Sequence, residues 1–257
     1  MKHQFPQSVL IVHAHPDDTE AFSAGAVVLL KKAGYKVTIA TMTAGGMGGI
    51  NSTENKTIAV RKQEALKAAQ SIGAEYVCFD GRDGFLYDTE ELRLKVLKLI
   101  RQVRPGIIIT HLPFDYHADH RATASITEAA AMLSSLPNIP LHEEPMEITP
   151  LLYHSAPLGL TDPLGGKTIE PHFFLNISEV IEEKMTMLSH HQTQIELMRV
   201  MHKMDNFFDE MKVQNRALGQ LVGVEYAECY WQHLGGGFQK KPLLQEVLKN
   251  YILLKGK

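Results

Sequence analysis

The sequence is poor in the features that announce several classes of protein. Its 257 residues hold only two cysteines, Cys78 and Cys229, far apart and in no CxxC pattern. That excludes a thiolate metal cluster and a disulfide framework, and both read as buried thiols in a reducing compartment. No run approaches the ~18 apolar residues needed to span a bilayer, so membrane insertion is not expected. Positive charge is not in excess: 26 Lys and Arg stand against 29 Asp and Glu, a formal net charge of −3. No basic surface therefore advertises a nucleic-acid partner. The opening stretch, MKHQFPQSVLIVHAHPDD, lacks an apolar segment followed by a small-residue cleavage site. These absences together lead us to expect a soluble, cytoplasmic protein. No repeat, low-complexity tract or linker divides the chain, and its length is ordinary for one α/β domain. Residues 1–257 are accordingly read as a single domain.

What is present is an alternation of two periodicities. Ser8 to Ala14, Lys36 to Thr43, Tyr76 to Phe79 and Gly106 to Thr110 are short runs rich in branched apolar residues, which read as buried strands. Between them, Phe22–Ala33, Thr57–Ile72, Glu90–Val103 and Asp119–Leu133 carry helical patterning; glycine stops the first two. Strands alternating with helices of this length predict βαβ units. The fold class is therefore α/β, a Rossmann-like, doubly wound, mostly parallel sheet with helices on both faces. Further on, Pro137 to Pro150 reads as a loop, and Leu151–Ser155 and His172–Ile177 as strands. Helices are expected over Glu179–His190 (capped by Ser178), Thr193–Arg216 and Lys240–Lys257, with a short strand over Val224–Tyr230.

In such a sheet, ligands bind beyond the carboxyl ends of the strands, at the point where strand order reverses. Two strands end there in unusual polar residues. The first runs into His15-Pro16-Asp17-Asp18. The fourth runs into His111 and then Asp115-Tyr116-His117-Ala118-Asp119-His120. Either cluster alone has an ordinary explanation: Asp-Asp before a helix caps it, and His-x-x-His in one turn is commonly solvated. Both clusters at strand ends that the topology brings together point instead to a metal. Two imidazoles and one carboxylate with an open position describe a catalytic zinc site. His15, Asp18 and His120 supply that set. Asp17 is left to act as general base, and His117 to donate to an oxyanion, with Asp119 holding its ring and favouring the protonated form. His13, inside the strand pattern, reads as a packed core or supporting histidine. His190-His191 at a helix end reads as structural, and the methionines between Met185 and Met211 as helix core. Asp83 and His154 lie near strand ends without an assignable role.

The motifs Ala14-His15-Pro16-Asp17-Asp18-x-Glu20 and His117-x-Asp119-His120 together resemble the PIG-L/LmbE family of zinc-dependent N-deacetylases. Gly223 to Glu228 is similar to that family's closing strand, and the segment around Lys184 and Gln192 is also similar. The resemblance covers most of the chain, leaving Pro137 to Gly166 unplaced. It implies one zinc per chain, or another divalent metal, on His15, Asp18 and His120. Asp17 becomes the base, His117 the oxyanion donor and Asp119 its orienting residue, while Arg61 contacts substrate. It also implies a small-molecule substrate, an N-acetylglucosamine-type amino sugar whose amide is hydrolysed by metal-activated water. There is one departure. Many relatives carry Gly-Glu after the second strand, whereas here the turn is Thr43-Ala44-Gly45-Gly46-Met47-Gly48-Gly49, with Gly46 where the acid stands. That turn lacks the dinucleotide spacing. Two other readings remain at this stage: a mononuclear iron enzyme, because two histidines and a carboxylate also suit iron, and a non-catalytic sugar-binding protein on the same fold. Homo-oligomers are common among such folds, and no interface residue is legible in one chain.

Overall fold

The computed structural model describes residues 5–162, 164–167 and 169–256. Eight strands form one mixed sheet. β1 (Ser8–His13) lies at its centre, with β2 (Lys36–Thr43) and β3 (Glu75–Gly81) to one side and β4 (Ile107–His111) and β5 (Leu151–Ser155) to the other. All five are parallel. Beyond β5 the order continues with β7 (Ala227–Gln232), β6 (Phe173–Asn176) and β8 (Ile252–Leu253), each antiparallel to its neighbour.

The strand alternation determines which helix meets which face. Val9 and Ile11 of β1 point to one side, together with α2 (Ala24–Lys32), Ala69 of α3 (Glu54–Ser71) and α6 (Ile181–Leu188). Leu10 and Val12 point to the other, into α4 (Glu90–Val103) and α5 (Ala118–Leu133). Each such side chain contributes about 1.5–3 kcal/mol on burial. Since both faces are covered, β1 is buried along its whole length, which is why it reads as an unbroken apolar run. Among the described residues no helix is long and apolar enough to cross a membrane.

Three expectations need correction. The helix expected over Phe22–Ala33 starts earlier and is broken at Ser23, giving α1 (Asp18–Phe22) and α2. The single helix expected over Thr193–Arg216 is two, α7 (Gln192–His202) and α8 (Phe207–Gln220). Lys203, at φ 56, ends the first in the left-handed region. The two apolar stripes have different targets: α8 buries Phe207 and Met211 in the core, whereas no residue of α7 is fully buried. The terminal helix expected over Lys240–Lys257, whose last residue lies outside those described, shrinks to α9 (Leu243–Val247). Beyond it Ile252 and Leu253 pair with Leu175 and Phe174, because the open edge of β6 offers the backbone hydrogen-bond partners.

Candidate active site

β1 and β4 are adjacent, and the chain leaves β1 towards β2 and β3 but returns on the opposite side at β4. The crevice above them is the switch point of the sheet, and both polar clusters open into it. After β1 the chain turns at His15 to Asp17, the Asp18 N–H donating to the His15 carbonyl at 3.3 Å. Asp17 then takes φ 95 as the N-cap of α1, a conformation that costs a non-glycine residue ~1–3 kcal/mol. After β4, His117 caps α5, its Nδ1 accepting the Asp119 backbone N–H at 3.1 Å.

Asp18 is the hub. Its Oδ2 lies 3.2 Å from His15 Nδ1, 3.3 Å from His111 Nε2 and 3.4 Å from His120 Nε2. The far nitrogens of two of these rings are held by other carboxylates. His120 Nδ1 is 2.9 Å from Asp115 Oδ1, and His15 Nε2 is 3.2 Å from Asp119 Oδ2 and 3.3 Å from Asp83 Oδ1. A proton on each far nitrogen leaves His15 Nδ1 and His120 Nε2 as lone pairs facing Asp18. His111 differs: the Ala14 N–H donates to its Nε2 at 2.9 Å, so that nitrogen is already engaged, and the His111 ring stacks on His120 at 3.9 Å between centroids.

Electrostatics follow from this geometry. Burial disfavours charge on His15 and His120, but the surrounding carboxylates together outweigh it, Asp18 with Asp119 and Asp83 at His15 and Asp18 with Asp115 at His120; His15 is raised well above the ordinary histidine value and His120 to about 9. Burial would raise Asp18, yet His120 and His15 hold it well below the carboxylate range. Burial also drives His111 well down, with His120 and His13 adding to it. The cluster therefore draws positive charge onto His15 and His120 while keeping His111 neutral. Asp17 goes the other way. Burial, and then Asp18, push its carboxyl up to about 7 against the opposing pull of Arg61.

The sequence-derived residues thus converge, with two changes of partner. Asp119 does not hold the His117 ring with its carboxylate. That carboxylate accepts from Gly84 N at 2.7 Å and Leu86 N at 3.3 Å and faces His15; only its backbone N–H reaches His117. The same bond makes His117 Nδ1 an acceptor and leaves the proton on Nε2, and burial lowers its pKa, so the protonated form is not the favoured one. Arg61, expected on the substrate, is 4% exposed. It donates from Nη1 to Gly45 O at 3.0 Å, and from Nη2 to Pro16 O at 3.0 Å and Asp17 Oδ1 at 3.2 Å. Gly45, at φ 66, is needed there: a Cβ would sit 2.4 Å from the guanidinium carbon.

Other site residues were not assigned from the sequence. Asp115 accepts from His120 and from the His117 N–H; its only sequence signal was a place in the same polar run. Asp83 accepts the Met47 N–H at 2.9 Å and reaches His15. His154 supports the site from behind, within 2.8 Å of the His111 carbonyl, and His13 sits between Thr19 and Ser155 at 3.0 and 3.1 Å. His191 is wholly buried 3.3 Å from Glu20. Lys184, also wholly buried, donates to Ala21 O and Glu228 Oε1, both at 2.9 Å. Glu228 in turn accepts from Gly25 and Ala26 at the start of α2, so the closing strand pins the α1–α2 junction beside the site. A cleft of about 530 Å³ opens above the cluster, lined on one side by His15, Asp17, Asp18, Asp83, His117 and His120.

The chain is similar to known proteins in sequence and in fold. The PIG-L family profile, described as GlcNAc-PI de-N-acetylase, matches residues 10–131. A probable N-acetyl-alpha-D-glucosaminyl L-malate deacetylase 2 from Bacillus cereus is 33% identical over 202 residues, covering 74% of this chain and 84% of that protein. A diacetylchitobiose deacetylase from Thermococcus kodakarensis is 27% identical over 194 residues, covering 73% and 70%. In structure, the N,N'-diacetylchitobiose deacetylase from Pyrococcus horikoshii superposes with a TM-score of 0.75 at 22% identity, covering 92% of this chain and 87% of that one, a likeness of fold. With its two polar motifs inside the matched segment and a Bacillus relative 33% identical along most of its length, the chain belongs to the PIG-L family.

Proposed function

We propose that this protein is a metal-dependent hydrolase that removes the N-acetyl group from an amino-sugar substrate of the N-acetylglucosamine type. The observation that carries this reading is the convergence of His15 Nδ1 and His120 Nε2 on Asp18 Oδ2, with the far side of each ring fixed by a carboxylate.

The residues fit a divalent cation. Two imidazole lone pairs, 3.2 and 3.4 Å from one carboxylate oxygen, with Asp18 and His120 buried and His15 nearly so, leave a deficit of positive charge that only extra protons or a cation can meet. A carboxylate behind each ligating histidine fixes the tautomer and ring orientation and raises ligand basicity. His15, Asp18 and His120 are the ligands in this reading. His111, its Nε2 taken by Ala14, buttresses His120 instead. The donor set of nitrogen and oxygen suits zinc and also admits iron or cobalt. Such a cation, when bound, supplies Lewis acidity, polarising an amide carbonyl and making water a better acid.

The chain's own groups do the proton work. Asp17, with a carboxyl near 7, is matched to taking a proton from attacking water and returning it to the leaving nitrogen. Arg61 keeps that carboxylate in place on its strained backbone. His117 presents the Nε2–H of a neutral ring to the cleft and donates to the oxygen of the tetrahedral adduct. The products are acetate and a free amine. A pure sugar-binding role would not require a buried carboxyl near neutrality beside a cation site.

The test is a screen of N-acetylated amino sugars for released primary amine, before and after chelation and after metal is restored. Metal-restored release of amine with stoichiometric acetate is the expected result. A protein that takes up metal yet cleaves none of these amides, or that consumes oxygen in their presence, removes the proposal.

A further inference from the structure

The wall of the cleft facing the polar cluster is made of Leu158, Leu197, Met198, Met204, Phe207 and Met211. α7 supplies Leu197 and Met198 and α8 supplies Phe207 and Met211. Gln194, Leu197, Met198 and His202 line the cleft at helical spacing, so one stripe of α7 faces the cavity. That stripe is apolar at its centre, and yet no residue of α7 is fully buried. An apolar helix face ordinarily finds protein to cover it; here Ile195 and Met198 pack in part against the core, while Leu197 and Met198 also line the cavity. The helix is held there from its start, because Thr193 N and Oγ1 both donate to the Glu64 carboxylate of α3. Among these side chains stands one buried acceptor, Gln194 Oε1, that has no partner among the described residues. A mostly apolar surface with a few polar groups that fix orientation is the make-up of a small-molecule site, and methionines adapt their shape to what they meet. The hydroxyls of an unsubstituted hexosamine would find few partners on such a wall and would pay for losing water.

We infer that the substrate carries an apolar group of several carbons beside its reacting amide, and that the α7–α8 wall, which includes Met198 and Met204, is the subsite that binds it. The group is either the aglycone of an amino-sugar glycoside or an acyl chain longer than acetyl; both present the same hydrocarbon to the same wall. The inference rests on the proposed amide hydrolysis, the deacylase reading, for the end of the molecule that reacts, and on the wall alone for the other end; an acyl outcome would replace the acetyl of that proposal by a longer acyl group.

The experiment compares three compounds: the methyl glycoside of N-acetylglucosamine, its hexyl glycoside, and N-hexanoylglucosamine. Amine release by the metal-loaded enzyme gives kcat/KM, and titration calorimetry on the Asp17→Asn protein gives Kd. One hexyl-bearing compound is expected to bind roughly tenfold or more tightly than the methyl glycoside, from the methylenes it buries. The hexyl glycoside in that role identifies an aglycone site; N-hexanoylglucosamine identifies an acyl site. Replacing Met198 and Met204 together by Gln should reduce the preference several-fold. Equal affinity for all three compounds, or a preference that survives the double substitution, overturns the inference. Amine release with a flat preference leaves the deacylase reading standing and removes this one. A hexyl preference in binding with no amine released from any compound supports the wall and removes the deacylase reading.

Discussion

The guanidinium of Arg61 reaches 44 residues back along the chain to the carboxylate of Asp17 at 3.2 Å, while also holding the Pro16 carbonyl at 3.0 Å. One side chain of α3 thus restrains both the backbone and the side chain of a residue at φ 95. Arg61, which also lines the cleft, is on this geometry proposed as a positioning residue for the base, and this differs testably from direct contact with substrate. In Arg61→Lys the ammonium cannot reproduce the fork. We expect kcat to fall about tenfold or more, as misplaced reacting groups do, with KM nearly unchanged. Steady-state kinetics on whichever amide is cleaved decides it: a raised KM at constant kcat would return Arg61 to the substrate.

Asp17→Asn removes the proposed base and keeps the shape. Metal content, measured by elemental analysis, should stay at one ion per chain, while turnover falls by roughly 10²–10⁴-fold. Near-normal turnover would mean that another group takes the proton.

Asp115→Ala leaves all three proposed ligands in place and deletes the carboxylate behind His120, which also accepts the His117 N–H. Loss of such a partner typically weakens metal binding ~10–100-fold. Competition with a chromophoric chelator measures it, with circular dichroism to show that the fold is intact. Unaltered affinity would show that His120 is not held to the metal through Asp115.

His154 and His13 are buried and neutral. Burial lowers His154 to about 4 and His13 to about 3, whereas the unfolded chain titrates near 6.5. Between those values the unfolded state binds more protons than the folded one, so stability rises with pH. The stability is complete above about 6.5 and is lost as pH falls towards 4. For His154 alone the change is on the order of 3 kcal/mol. Urea unfolding between pH 7 and pH 4.5 should show the decline, and His154→Asn should flatten it. A wild-type protein equally stable across that range would contradict the buried neutral assignment.

Much of this was legible before folding was considered. The unbroken apolar runs of β1 and β4 announced a sheet covered on both faces, because a strand buried on each side has no polar alternation. His15, Asp18 and His120 drew notice because imidazoles and carboxylates ending two such strands have few structural uses. Turns and strand periodicity are local, and local patterns survive in sequence.

What the tertiary structure alone decided is pairing at long range. Asp119 serves His15, 104 residues away, and not its neighbour His117, because the N-cap geometry of α5 spends the His117 Nδ1 on a backbone amide. Arg61 turns inward because Gly45 leaves room for its guanidinium. The break at Lys203 lets α7 lie over the cleft while α8 enters the core, and the last residues become a strand because β6 has an open edge. Hydrogen-bond partners and apolar faces are chosen by proximity in space; a chain read one residue at a time carries the chemistry of each group but not which other group it will meet.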